Sequence, residues 1–274
     1  MSAAPSNLRW DPEYQKVVAE LAGVPLPQAQ TAHDLRANTD LILRFAFSRV
    51  SPAPSVVQTV FHFTSKDGAS LAITRFAPPT TAPGPGPAIL YIHGGGLVAG
   101  SVPITSPAIA ATAEKIDRPI FAVSYRLAPE HPFPTPLDDV YAALEWLRTN
   151  AATHGIDPAR ICVYGASAGG NLAAAVALLA RDRGLTPPIA KQLLVYPMLD
   201  DRTKLATDSP LAALLTWTLR NNEIGWEAYL GGVDKTKVPS YAVPARMDDL
   251  SGLPRTYIDV GGCDLFAGED IAVC

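Results

Sequence analysis

The amino-acid sequence predicts an α/β protein with a mostly parallel central sheet and helices on both faces. Short, near-continuous apolar runs alternate with helix-patterned stretches, as a parallel sheet buried on both sides requires. The 274 residues are 48% hydrophobic and 18% charged, enough apolar material for one large core and too much for a disordered chain. The 26 prolines are scattered through connections and mark no interdomain linker.

Taken in order, Asp11 and Pro12 suit a helix start, and Val17, Val18 and Leu21 give the helix an apolar stripe. A second helix is expected from about Thr31 to Phe47. VVQTVFHFT and SLAITRFA flank SKDGA, so Asp67 and Gly68 mark a hairpin turn, with His62 a partly exposed strand residue. Beyond the segment PPTTAPGPGP come the strand runs AILYI (88–92), IFAVSY (120–125), ICVYG (161–165), QLLVYP (192–197) and TYIDV (256–260). Between them SPAIAATAEKI, PLDDVYAALEWLRTN and AGGNLAAAVALLARD carry helical patterning. Open α/β sheets place their chemistry at the carboxyl ends of strands, which directs attention to those loops.

Charge and cysteine content exclude several functions. A net charge of −4, from 22 basic and 26 acidic residues without long runs of either sign, is not the footprint of a nucleic-acid binder. The start MSAAPSNLRWDPEYQ lacks a basic-then-apolar signal pattern, and no stretch approaches the ~18 apolar residues of a membrane span, so a cytoplasmic protein is expected. Cys162, Cys263 and Cys274 have no metal-ligand spacing and read as reduced thiols, Cys162 as a small core residue. No metal or organic cofactor is implied.

Two motifs carry chemistry. Gly165-Ala166-Ser167-Ala168-Gly169 is a G-x-S-x-G pentapeptide between a predicted strand and a predicted helix, the setting of a nucleophile elbow that projects its serine from the sheet. His93-Gly94-Gly95-Gly96 follows the run AILYI, and successive glycines there let backbone N–H groups point into a site as oxyanion donors. With Gly94, Gly95 and Gly96, the N–H of Ala168 would hold the oxygen of a tetrahedral intermediate. A phosphate-binding loop would want a lysine or a G-x-G-x-x-G arrangement with an acidic partner, and neither is present.

With both motifs in this order, and with YRLAPEHPFP (125–134) and YPMLDD (196–201), the sequence resembles the hormone-sensitive lipase family of α/β-hydrolases from about Asp11 onward. Its overall phrasing looks like fungal carboxylesterases, some of which deacylate secondary metabolites. The resemblance implies a helical N-terminal cap over residues 1–50 and an α/β-hydrolase core over 51–274. It also implies Ser167 as nucleophile and His93 and His131 as structural members of their motifs. In TYIDVGGCDLFAGEDIAVC, Asp264 takes the position of the triad acid and Glu269 that of the last acidic residue. Ala267 and Gly268 stand where the family has Arg and Asp, which should weaken the start of the following helix. Asp259, inside the strand, is the alternative acid. Leu97, Leu199 and Trp217, with Trp226 and Tyr229, are candidates for an apolar lining around a small apolar ester.

The chain order in this fold is Ser, then Asp, then His. The five histidines are His33, His62, His93, His131 and His154, all before Ser167. On the resemblance, the core is C-terminally incomplete, lacking the last strand, the histidine loop and the closing helix. Loss of the histidine in another serine hydrolase cost about a millionfold in turnover. Three alternatives stay open: a shortened esterase; a non-catalytic small-molecule binder, as the family's plant gibberellin receptors are; or a substitute base from His154, His131 or a partner chain. The missing strand would leave TYIDV as an apolar sheet edge, for which a homodimer pairing those edges, or aggregation, is the expectation.

Overall fold

The computed structural model describes residues 11–22, 26–79, 84–206, 208–234 and 236–273. Cys274 and the first ten residues lie outside them.

Helix α1 (Pro12–Ala22) opens on an Asx turn, with the Asp11 carboxylate accepting the Glu13 N–H at 2.8 Å. Val17 of the expected stripe is exposed, and the side chains of Val18 and Leu21 lie outside those described. Helix α2 (Ala32–Phe47) is closed at its N-terminus by a capping box: Thr31 Oγ1 accepts the Asp34 N–H, and Asp34 accepts the Thr31 N–H. Strands β1 (Val57–Thr64) and β2 (Ser70–Ala77) form the expected hairpin, turned at Gly68 with φ 88°. His62 is exposed on β1.

The remaining elements alternate: β3 (Gly86–Ile92), α3 (Val102–Ile116), β4 (Ile120–Val123), α4 (Thr135–Thr149), β5 (Ile156–Ala166), α5 (Ala168–Asp182), β6 (Lys191–Val195), α6 (Leu219–Leu230), β7 (Arg255–Asp259) and α7 (Ala267–Val273). The seven-stranded sheet runs β1-β2-β4-β3-β5-β6-β7. It is parallel from β4 to β7 and antiparallel at the β1–β2 and β2–β4 pairs.

Alternation along β3 divides the core in two. Leu90 and Ile92 pack with α4 and α5 on one face; Tyr91 points to the other, against Val102, Ile109 and Ala113 of α3. Both clusters are dry: Leu90, Ile92, Leu144, Leu172 and Ala113 have no exposed surface. Cys162 is half-buried, not a core residue, because its side chain shares the less covered face with Tyr164. β7 is an edge strand of the described sheet, and Tyr257 on it is 55% exposed. No described helix is long and apolar enough to cross a membrane.

Candidate active site

The turn from β5 to α5 is a tight one whose shape is fixed by missing side chains. Ser167 sits at φ 56°, ψ −121°, a strained conformation for a residue with a Cβ, and its backbone is pinned from both sides. Its N–H donates to Val195 O at 2.9 Å and its carbonyl accepts the Met198 N–H at 3.1 Å. The chain can turn this sharply because Gly165 and Gly169 close on each other. A Cβ on Gly165 would lie 2.0 Å from Gly169 O, and one on Gly169 would lie 2.1 Å from Ile92 O. Ala168, fully buried, opens α5, so its N–H is one of the donors left over at a helix start.

The second loop leaves β3 at Ile92 and passes through Gly94, Gly95 and Gly96. Gly95 and Gly96 have φ of 125° and 61°, and no backbone acceptor among the described residues takes the N–H of Gly95, Gly96 or Ala168. Gly96 is roofed by Trp217, whose Cη2 would stand 2.1 Å from an added Cβ. His93 is buried, with Nδ1 2.8 Å from Gly94 O and its ring stacked on Tyr125 at 4.3 Å. Tyr125 Oη donates to His93 O at 2.8 Å. Burial pushes the His93 pKa down to about 4, so the ring is neutral and serves as a structural spacer beneath the loop.

Helix α2 holds the far limb of this loop, a feature the motifs did not announce. Asp40 Oδ1 accepts the Gly100 N–H at 2.7 Å. One turn earlier, Arg36 donates to Val98 O at 2.5 Å and Ala128 O at 2.7 Å, and pairs with Glu130. The i, i+4 spacing of Arg36 and Asp40 places both on one face of the helix. A charged pair on that face was the sequence signal available for them. Buried Asn171 was missed as well: its Nδ2 donates to Met198 O and Ala242 O, tying α5 to the segment after β6.

Gly94, Gly95, Gly96, Ser167, Trp217 and Asp264 line one cavity of about 270 Å3. Its apolar wall comes from Leu43 and Phe47 of α2 and from Ala108 and Ile109 of α3. The structure thus brings together most of the residues picked from the sequence. It does not bring Leu97 or Leu199. Leu97, held at φ 66°, points into the core, and Leu199 is equally buried beside Met198, so neither lines the cavity. Trp226 and Tyr229 are also core residues, because α6 turns that face inward; of these aromatics, Trp217 reaches the cavity.

The acid limb is looser. Asp264 is half-buried and accepts the Phe266 N–H at 2.9 Å, a local turn. Asp259, the alternative, is exposed on β7 and lies outside the cavity lining. Despite Ala267 and Gly268, α7 forms from Ala267 for seven residues. Glu269 is buried and accepts the N–H groups of Leu199 at 2.5 Å and Asp200 at 3.1 Å, together with the Thr203 hydroxyl. Burial pushes its pKa up to about 7 despite those donors. The neighbouring Asp270 is raised to about 8 by burial and by the charges of Glu269, Asp264 and Asp259.

No hydrogen bond among the described residues joins a histidine to Ser167 or Asp264. His33 lies 3.3 Å from Glu130, and His154 packs among Phe61, Phe121 and Trp146. His131 is exposed after β4, donating its backbone N–H to Leu127 O. No group of three or more potential metal ligands occurs among the described residues.

A strand-to-helix turn carrying a strained serine, beside a glycine loop at the next strand end, defines an α/β hydrolase. The family model for the alpha/beta hydrolase fold matches residues 89–274, and the chain belongs to that family. It is 42% identical over 177 residues to the carboxylesterase NlhH of Mycobacterium tuberculosis, covering 63% of this chain and 54% of that protein. It is 37% identical over 202 residues to the esterase LipI of the same organism, covering 72% of this chain and 62% of LipI. The chain therefore spans between half and two thirds of the length of these relatives. Among solved structures it resembles a bacterial heroin esterase, with a TM-score of 0.82, 35% identity, and 94% of this chain and 82% of the other covered.

Proposed function

We propose that the protein is a serine carboxylic-ester hydrolase. The carrying observation is the shared cavity that places Ser167 beside the glycine loop and Asp264. Ser167 Oγ attacks the ester carbonyl, the N–H groups of Gly94, Gly95 and Ala168 stabilise the oxyanion, with Gly96 completing the loop, and the alcohol leaves to give an acyl-enzyme that water hydrolyses. Asp264 would orient an imidazole to shuttle the proton, a group that none of the five histidines of this sequence supplies among the described residues. A cavity of about 270 Å3 with Leu43, Phe47 and Ile109 in its wall suits short to medium acyl esters of apolar alcohols, with α2 acting as cap.

The test is hydrolysis of p-nitrophenyl esters from acetate to palmitate. Turnover that favours the short chains and disappears in Ser167→Ala supports the proposal; turnover that survives in Ser167→Ala contradicts it.

One observation favours a second reading, a small-molecule binder that does no chemistry: none of the hydrogen bonds among the described residues brings an imidazole to Ser167. Tight binding of an apolar ester without turnover, unchanged by Ser167→Ala, would select it. A homodimer through β7 belongs to either reading. Antiparallel pairing centred on Tyr257 sets Arg255 opposite Asp259 of a second copy. A monodisperse monomer by light scattering would contradict that pairing.

A further inference from the structure

The parallel strands have two ends, and the amino ends carry a site of different character. A cavity of about 180 Å3 there is lined by Arg75, Arg118, Arg160 and His154, with Pro78 and Pro119 in its rim and no aspartate or glutamate in its lining. Arg75 rises from β2 with its Nε buried and without a hydrogen-bond partner. Among the described residues neither Arg75 nor Arg160 has a carboxylate partner. Arg118 meets Asp117 at 3.5 Å, and Asp117 is outside the cleft lining. His154 also lines the cleft, its ring packed against Phe61, Phe121 and Trp146.

This concentration of positive charge runs against the rest of a chain whose net charge is −4. A buried guanidinium N–H without an acceptor is costly, and like charges lining one cleft repel, so an anion there would relieve both. The Gly86 N–H donates to Gly155 O at 2.9 Å and four prolines of the lining carry no N–H, so side chains are the main donors. Guanidinium forks match the oxygen spacing of a phosphoryl group. Three arginines offset by Asp117 leave a local excess suited to a dianion rather than a single carboxylate. The small volume and proline rim suit a compact ligand rather than a polymer backbone.

We propose that this cleft binds a phosphoryl dianion, either inorganic phosphate or the phosphate of a small phosphomonoester, through Arg75, Arg118 and Arg160. The site is independent of ester chemistry: β3, from Gly86 in the cleft to Ile92 before the glycine loop, separates the two sites by about 20 Å at ~3.3 Å per residue.

The experiment is calorimetric titration and thermal unfolding of the 274-residue chain with inorganic phosphate and, separately, with glycerol phosphate, each against chloride at matched ionic strength. Saturable binding with a rise in Tm that chloride does not reproduce is expected. Arg160 is exposed and its side chain makes no hydrogen bond among the described residues, so Arg160→Gln leaves the fold intact and should weaken binding about tenfold. The double variant Arg75→Gln/Arg160→Gln should abolish binding, while Arg220→Gln on α6 should leave it unchanged. Tighter binding of glycerol phosphate assigns the site to a phosphomonoester; tighter binding of phosphate assigns it to the free ion. Equal stabilisation by chloride, absence of saturable binding, or affinity unmoved by Arg160→Gln would overturn the proposal.

Discussion

The two limbs of the candidate site are built to different tolerances. On the serine limb, backbone meets backbone: added Cβ atoms at Gly165 and Gly169 would fall 2.0 and 2.1 Å from carbonyl groups. Helix α5 behind it is buried along almost its whole length. On the acid limb, β7 is largely exposed, Asp264 accepts a local N–H, and Gly268 has nothing within 4 Å of where a Cβ would stand. Ser167 and the glycine loop are thus fixed by close packing, while the position of Asp264 depends on a short helix and a few polar contacts. The contrast locates where substitutions should matter.

The largest effect is expected at Gly169. Gly169→Ala forces the elbow away from the end of β3, and overpacking against backbone should cost about 3 kcal/mol or more. Denaturant unfolding would measure this, with loss of ester turnover beside it. A Gly169→Ala protein as stable as the parent would remove the basis of the comparison.

Next comes the strap from α2. Asp40→Ala leaves the Gly100 N–H without its acceptor, an expected loss of about 1–2 kcal/mol, with the reaction at Ser167 slowed by about tenfold as the glycine loop loosens. Asp40→Asn, which keeps an acceptor oxygen, should recover most of that rate. Equal rates in Asp40→Ala and the parent would show that the loop holds its shape unaided.

A pH-dependent effect of comparable size, without a direct contact to the glycine loop, belongs to Glu269. Its folded pKa of about 7 lies above the ordinary 4.5, so the folded chain holds this proton more tightly than the unfolded one. The associated stability is fully present below about pH 4.5 and is lost as pH rises through 7. Relative to the parent, Glu269→Gln should therefore gain stability between pH 5 and pH 8, on the order of 1–3 kcal/mol. Paired urea titrations at the two pH values check the sign; an equal difference at both would contradict it. The smallest effect is Gly268→Ala, where open space and a helical backbone predict a gain of roughly 0.5–1 kcal/mol in thermal unfolding.

The sheet and the serine limb were legible because both write themselves into local sequence. Buried parallel strands demand apolar runs, and the elbow demands glycines at fixed offsets from Ser167. What escaped depended on tertiary direction. Leu97 and Leu199 sit next to motif residues in sequence, yet a left-handed backbone at Leu97 and the packing around Met198 turn both into the core. Trp217 and Trp226 are alike by composition, and their fates diverge because one precedes α6 and the other lies on its inner face. Arg36 and Asp40 act across 62 and 60 positions of sequence, a distance no local pattern encodes. The arginine cleft draws its charges from β2, the turn before β4 and β5, and assembles when the strands align.

The central claim is that Ser167 and the glycine loop form a built acyl-transfer centre. Its most direct test is incubation of the protein with a fluorophosphonate, with and without added imidazole, followed by intact mass and peptide mapping. A single adduct on Ser167, faster with imidazole and absent from Ser167→Ala, is the predicted result. No adduct under either condition, or adducts spread over other residues, would contradict the claim.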